Sequence, residues 1–275
     1  MPYLSREDVD IWWHEEGEGD AILLINGLSS PSDTWFRLTP HLRPHFRVLM
    51  FDNRGVGRTG VPEGPYSVAA MAADAAAVLE AADASSAHVL GLSMGGFIAQ
   101  ELTLNEPDRV RSLVLASTHV GIPHAAGADP AVAAILAKAA QLPTRERMVV
   151  LEPLLYAEGT SRADIQLDHD VRESRPTDES GYLNQLLGTS TWERLADLKQ
   201  IDVPTLVLHG ALDRLVPPMY ARVLVDAIPS ARLELLEGAG HEIFTDREND
   251  AARAVIEFFS DVSRSDAVEV EVNKF

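Results

Sequence analysis

The 275-residue chain contains no cysteine. A disulfide, a thiolate metal site and a cysteine nucleophile are therefore all excluded. Positive charge is scarce: 23 Lys and Arg stand against 42 Asp and Glu, a net charge of -19. Phosphate backbones attract Lys/Arg-rich surfaces and repel acidic ones, so no nucleic-acid partner is expected. Docking on anionic lipid is disfavoured for the same reason. Self-repulsion that keeps the chain in solution accounts for the acidity. No apolar run is long enough to span a bilayer, so no membrane partner is expected. The opening stretch MPYLSREDVDIWWHEEGEGD lacks the basic and apolar regions of a secretion signal. The expectation is a soluble cytoplasmic protein.

What is present is an ordinary globular balance, 46% hydrophobic and 24% charged. Four short apolar runs punctuate the first part: AILLING (21–27), FRVLMFD (46–52), AHVLGLS (87–93) and RSLVLAS (111–117). They are continuously apolar rather than alternating, as strands buried on both faces of a parallel sheet are. Helical patterns lie between them. VAAMAADAAAVLEAA (68–82) has Ser67 as its N-cap, and GGFIAQELTLNEP (95–107) stops at Pro107. Strand alternating with helix predicts βαβ units. From 120 to 195 the rhythm is lost, leaving helical stretches such as AVAAILAKAAQL and RERMVVLEPLLY. It resumes with strands at 203–210 and 231–238 and helices at 217–228 and 250–262. The predicted organisation is one α/β core (1–119 and 196–262) with a helical insertion (120–195) and a tail (263–275). In the tail Val268, Val270 and Val272 alternate with Glu269 and Glu271, which fits an edge strand or a frayed terminus.

Gly91-Leu92-Ser93-Met94-Gly95 matches G-x-S-x-G between a predicted strand and a predicted helix, the context that motif requires. A nucleophilic serine there stands on a sharp, strained turn. Bulky residues two positions either side would strike neighbouring backbone, hence the glycines. The helix that follows turns its positive end toward the site. The plain alternative is a tight turn without chemistry.

A serine nucleophile needs a base and an orienting acid, here in the chain order Ser, Asp or Glu, His. Asp213 follows the strand at 203–210, and His241 follows the strand at 231–238. Both thus fall at C-terminal strand ends, where ligands sit in open α/β sheets. His241 Nε2 would take the Ser93 proton, and Asp213 would hold His241 Nδ1–H. Singly, Asp213 reads as a turn cap and His241 as a loop residue; jointly they complete a triad. The backbone N–H of Met94 is one candidate oxyanion donor. The second comes from the loop Asn26-Gly27-Leu28-Ser29-Ser30, with the Leu28 N–H as candidate and the hydroxyls of Ser29 and Ser30 as possible additions beside a turn-forming role.

These motifs give a resemblance. NGLSS (26–30), FDNRGVGRT (51–59), GLSMGG (91–96), PDRVRSLVL (107–115), VPTLVLHGALDRLVPP (203–218) and GAGH (238–241) resemble the α/β-hydrolases, and cover about residues 8 to 262. GLSMGG and DNRG are similar to those of 3-oxoadipate enol-lactonases and aclacinomycin methylesterase-like esterases. The resemblance implies a mostly parallel sheet flanked by helices, with the insertion as a cap that sets substrate choice. It also implies a serine hydrolase that forms an acyl-enzyme with a carboxylic ester or lactone and uses no cofactor. Many members have His-Gly where this chain has Asn26-Gly27, so the contacts that support the loop differ. The same triad serves C–C bond hydrolysis, amide hydrolysis or perhydrolysis in other members, and a ligand-binding protein on the same core is a further alternative.

Other residues fit plainer roles. Gly55 to Gly60 spells G-x-G-x-x-G after a strand, but Pro62, Gly64 and Pro65 prevent the helix that a dinucleotide site needs. His119 and His124 lack a neighbouring carboxylate cluster, so no metal site is expected. His119 follows a strand end and is a candidate pocket residue. Trp35, after the oxyanion loop, fits helix packing or a pocket wall. His88 and His209 read as structural, and Asp168-His169-Asp170 as a solvated stretch. Leu136, Leu142, Leu154, Leu155, Tyr156 and Leu187 give the insertion apolar surface.

Overall fold

The computed structural model describes residues 3–121 and 130–272. Its strands are β1 (Tyr3–Ser5), β2 (Asp10–Glu16), β3 (Ala21–Ile25), β4 (Arg47–Phe51), β5 (Ala87–Leu92), β6 (Val110–Ala116), β7 (Thr205–Gly210) and β8 (Ala231–Leu236). They form one sheet in the order β1-β2-β4-β3-β5-β6-β7-β8. The β1–β2 and β2–β4 pairs are antiparallel, and every pair from β4 through β8 is parallel. The helices are α1 (Thr39–Leu42), α2 (Val68–Ala81), α3 (Met94–Asn105), α4 (Pro130–Ala139), α5 (Thr144–Leu155), α6 (Arg162–Ser174), α7 (Glu179–Thr189), α8 (Met219–Ala227), α9 (Ile243–Asp246) and α10 (Glu248–Val272). This is the expected mostly parallel sheet flanked by helices.

The apolar runs explain why the sheet is covered on both sides. Successive strand residues point to opposite faces. Leu23 and Ile25 of β3 and Leu49 and Phe51 of β4 join one buried cluster, with Met71 and Ala75 of α2, Ile98 of α3 and Leu224 of α8. Ile22, Leu24, Val48 and Met50 join the other, with Leu42 of α1 and Val255 and Phe259 of α10. A strand buried this way has no polar face to alternate. Ser67 caps α2 as expected, its hydroxyl accepting the Ala70 N–H at 3.1 Å.

Among the described residues four α-helices, α4 to α7, stand between β6 and β7. Part of this segment builds a small core of its own from Ala139, Met148, Leu151, Leu155, Tyr156 and Ile165. Leu187 is exposed. Two expectations are corrected. Asp168 and His169 are buried rather than solvated: Asp168 Oδ1 accepts from Arg37 Nε at 3.2 Å and Oδ2 from Thr245 Oγ1 at 2.6 Å, which ties α6 to the core. The tail is helical to Val272, not an edge strand. Ser263 and Asp266, one helical turn apart, both reach the sheet. Ser263 Oγ lies 3.0 Å from His88 Nε2, and Asp266 accepts from Arg111 Nη2 at 2.9 Å.

The glycine-rich stretch after β4 is a turn. Gly55 and Gly57 adopt φ of +80° and +56°, and the next helix opens only at Val68. The Asp52 carboxylate organises it, accepting from the Ser32 N–H and hydroxyl, each at 2.7 Å, and from the Arg58 N–H and Nε, each at 2.9 Å.

Candidate active site

Ser93 sits between β5 and α3 with φ +55° and ψ −119°. That conformation is disfavoured for a residue with a Cβ and persists only when the surroundings impose it. Here they do. The Ser93 N–H donates to Ala116 O at 2.9 Å, and Ser93 O accepts from Gly96 N–H at 2.8 Å and from Thr118 Oγ1 at 2.7 Å. The flanking glycines are required by close approach. A Cβ on Gly95 would overlap the Ile25 carbonyl oxygen, and one on Gly91 would overlap the Gly95 carbonyl oxygen. Gly95→Ala must therefore force β3 and α3 apart. Overpacking of this kind costs about 1–3 kcal/mol, or roughly 2–10 °C in Tm for a chain of this size. Thermal denaturation of the variant beside the parent chain measures it.

Asp213 and His241 are held together beyond β7 and β8. Asp213 Oδ2 accepts from His241 Nδ1 at 2.8 Å, which fixes the tautomer and leaves Nε2 with its lone pair. Asp213 Oδ1 accepts from the N–H groups of Leu215 at 2.9 Å and Val216 at 2.8 Å. His209 Nε2 donates to Val216 O at 2.8 Å and lies 3.3 Å from Asp213 Oδ2. Burial alone would raise the Asp213 pKa, but the two histidines outweigh it and hold it down at about 2. Burial alone would lower the His241 pKa, but the Asp213 carboxylate holds it above its ordinary value. The loop is pinned from several sides: Ser117 Oγ donates to His241 O at 2.9 Å, Glu242 N–H to Leu155 O at 2.9 Å, and Gly240 N–H to Asp246 Oδ2 at 2.6 Å.

Ser93 and His241 line one cavity of about 70 Å³ with Gly27, Leu28, Ser29 and Ser30. Among the described residues the Ser93 hydroxyl has no hydrogen-bond partner. The loop of Leu28 lies directly against the serine: a Cβ on Gly27 would stand 3.2 Å from Ser93 Cβ. Among the described residues the N–H groups of Leu28 and Met94 donate no hydrogen bond within the chain. Met94 is the first residue of α3, where N–H groups lack intrahelical acceptors. Asn26 secures the loop. Its Nδ2 donates to Pro31 O at 2.9 Å, and its backbone oxygen accepts from Asn53 Nδ2 at 3.1 Å.

A chain whose α/β sheet carries this turn, acid and histidine at the C-terminal ends of β5, β7 and β8 invites comparison with known proteins. The family model described as alpha/beta hydrolase fold matches residues 20–248. The chain belongs to the α/β hydrolase fold family. It is similar to the poly(3-hydroxyalkanoate) depolymerase of Ectopseudomonas oleovorans, 30% identical over 238 residues that cover 86% of this chain and 83% of the relative. It is also similar to a pimeloyl-acyl-carrier-protein methyl ester esterase of Yersinia pseudotuberculosis, 30% identical over 261 residues, covering 90% and 96%. Among solved structures, the enol-lactonase from Burkholderia xenovorans LB400 superposes with a TM-score of 0.85 at 25% identity, covering 94% of this chain and 100% of that one. Among the described residues of this α/β hydrolase, no helix is long and apolar enough to cross a membrane.

Two sequence candidates stand apart from the cavity. Trp35 is buried edge-on against Phe244, at 5.7 Å between ring centroids, and borders a separate small cavity with Asn26 and Asp168. His119 packs edge-on against Phe97 at 4.7 Å, and its Nδ1 accepts the Gly121 N–H at 3.1 Å. Burial pushes its pKa down to about 4, so it is a neutral packing residue near the triad. His124 lies outside the described residues.

The fold also brings in residues that sequence reasoning missed. Gln185 of α7 accepts the Ser29 N–H at 2.9 Å and donates to Arg54 O at 3.0 Å, bracing the Leu28–Ser29 turn. Arg172 of α6, Tyr182 of α7 and Glu242 line the cavity of this α/β hydrolase. Glu242 adjoins a predicted catalytic histidine, which was a usable signal. Arg172 and Gln185 carried none, since their relevance depends on how the inserted helices pack.

Proposed function

We propose that the chain is a carboxylic ester hydrolase that acts on a small ester or lactone through an acyl-enzyme on Ser93 and requires no cofactor. Ser93 Oγ attacks the carbonyl carbon while His241 Nε2 takes the hydroxyl proton. Asp213, bonded to Nδ1, keeps the ring in the required tautomer and stabilises the imidazolium. The N–H groups of Leu28 and Met94 receive the developing oxyanion at the positive end of α3. The tetrahedral intermediate collapses, and the leaving alcohol takes the proton from His241. Water then attacks the acyl-enzyme, with His241 again as base, and the acid departs from Ser93. The inserted helices α4 to α7 form the cap over the reacting carbonyl.

The observation that carries this reading is the 2.8 Å bond from His241 Nδ1 to Asp213 Oδ2, with both His241 and a backbone-strained Ser93 opening on one cavity. The activities for which the depolymerase, the methyl ester esterase and the enol-lactonase are named support an ester or lactone bond as the target. The test is a turnover panel of esters of rising chain length, lactones of rising ring size, amides and vinylogous diketones. Esters or lactones should be turned over by the parent chain and not by Ser93→Ala. Turnover confined to amides or diketones would reassign the reaction, and tight binding without turnover would make the chain a ligand-binding protein.

A further inference from the structure

Beyond Ser93 and His241, the cavity has an aliphatic wall made by Leu136, Met148, Leu151 and Leu155 of the inserted helices together with Leu28, Leu92 and Leu215. A guanidinium interrupts this wall. Arg172 is only 6% exposed and lines the same cavity. An arginine carries five N–H donors. Among the described residues only Nη2 has an acceptor, Glu242 Oε1 at 2.6 Å. Arg37, nearby, is the contrast: its guanidinium is shared among Asp164, Asp168 and Glu248. Arg172 also borders the smaller cavity lined by Asn26, Trp35 and Asp168. Donors of a buried charged group are costly to leave unbonded, so this wall is built to meet an acceptor.

A second donor faces the same need. The hydroxyl of Tyr182 is buried without a partner, and Tyr182 lines the cavity. Burial holds its pKa above the ordinary value, so it remains a neutral O–H donor. The local charge balance selects the kind of acceptor. Arg172 is already neutralised by Glu242, Asp168 is paired with Arg37, and Asp213 carries a negative charge beside His241. A carboxylate would add another anion to this set. A neutral oxygen would not.

We propose that Arg172 and Tyr182 form a polar subsite that binds a neutral oxygen acceptor of the substrate, a ketone or second ester carbonyl distinct from the carbonyl attacked. The substrate class is then a small oxo-ester or oxo-lactone rather than a plain alkyl ester. This assignment rests on the serine hydrolase reading above.

The test compares kcat/KM for methyl pentanoate with its 3-oxo and 4-oxo counterparts, and for methyl hexanoate with its 3-oxo, 4-oxo and 5-oxo counterparts. Each ratio is divided by the ratio of base-catalysed hydrolysis rates to remove intrinsic reactivity. At least one oxo-ester should be preferred about 10–100-fold, the range for a hydrogen bond to a charged group. Arg172→Met should collapse that preference, and Tyr182→Phe, which removes only a hydroxyl, should reduce it. Tyr182→Phe carries the test alone if Arg172→Met does not fold. Methyl hydrogen succinate, with a carboxylate in the same region, should be turned over less well than the oxo-ester. Preference ratios unmoved by both substitutions overturn the subsite, as does a preference for the carboxylate ester. So does Ser93 reacting with a fluorophosphonate while no oxo-ester is turned over. Absence of both fluorophosphonate reaction and turnover brings down the hydrolase reading itself, and the subsite with it.

Discussion

Ser93→Ala is expected to lower kcat by on the order of 10⁶-fold, the size of the loss when a triad serine is removed elsewhere. The fold should survive, because the Ser93 hydroxyl makes no hydrogen bond among the described residues and its removal breaks none. What holds the position is backbone: the bonds to Ala116, Gly96 and Thr118 persist in the variant. The strain at φ +55° persists as well. Ser93→Gly relieves it, and should be more stable than Ser93→Ala by about 1–3 kcal/mol while equally inactive. Steady-state turnover of the best ester, with thermal denaturation of the three proteins, separates the chemical role from the structural one. A Ser93→Ala variant that keeps a hundredth of the parent kcat is incompatible with Ser93 as nucleophile.

The second large effect is expected at Asp213. An asparagine there has one oxygen for two sets of donors. Toward His241 Nδ1 and His209 Nε2 or toward the N–H groups of Leu215 and Val216, its amide nitrogen must face a donor. The His241 ring is driven toward the wrong tautomer, and kcat should fall by about 10⁴-fold. The pH profile shifts too. Turnover needs neutral His241, so kcat/KM falls as pH drops through the His241 pKa of the free enzyme. Burial lowers that pKa, but Asp213 prevails, with Glu242 assisting and Arg172 opposing, and holds it above 6.5. The acidic limb of the parent chain should therefore lie above pH 6.5. In Asp213→Asn the raising charge is gone, burial and Arg172 remain, and the limb should move to lower pH. A limb that does not move means that Asp213 does not govern His241.

The positions of these residues were legible in the sequence for a physical reason. Strands buried on both faces must be continuously apolar, so β3 to β7 announced themselves, and Ser93 and Asp213 fall where two of them end; β8, which precedes His241, was also legible although it is only partly buried. β1 and β2 were not legible. DIWWHEE pairs at the sheet's antiparallel end, half-buried and rich in acids, and its side chains suit solvent as well as a strand. The helix α6 was misread for a related cause. Asp168 belongs to a polar run, and its buried carboxylate is met by Arg37 and Thr245, far away in the chain. The end of α10 shows the limit of a short alternation: five residues of Val and Glu fit a strand, while Ser263 and Asp266 bind the sheet through a helical spacing. Arg172 and Gln185 gain their places through packing between segments distant in sequence, and no local pattern encodes that.

The central claim is that Ser93 is the nucleophile. Its most direct measurement is the intact mass and peptide map of the protein after reaction with a fluorophosphonate ester. The account predicts a single adduct on the peptide carrying Ser93, absent from Ser93→Ala and strongly slowed in His241→Ala. An adduct on another residue, or one that persists in Ser93→Ala, would contradict it.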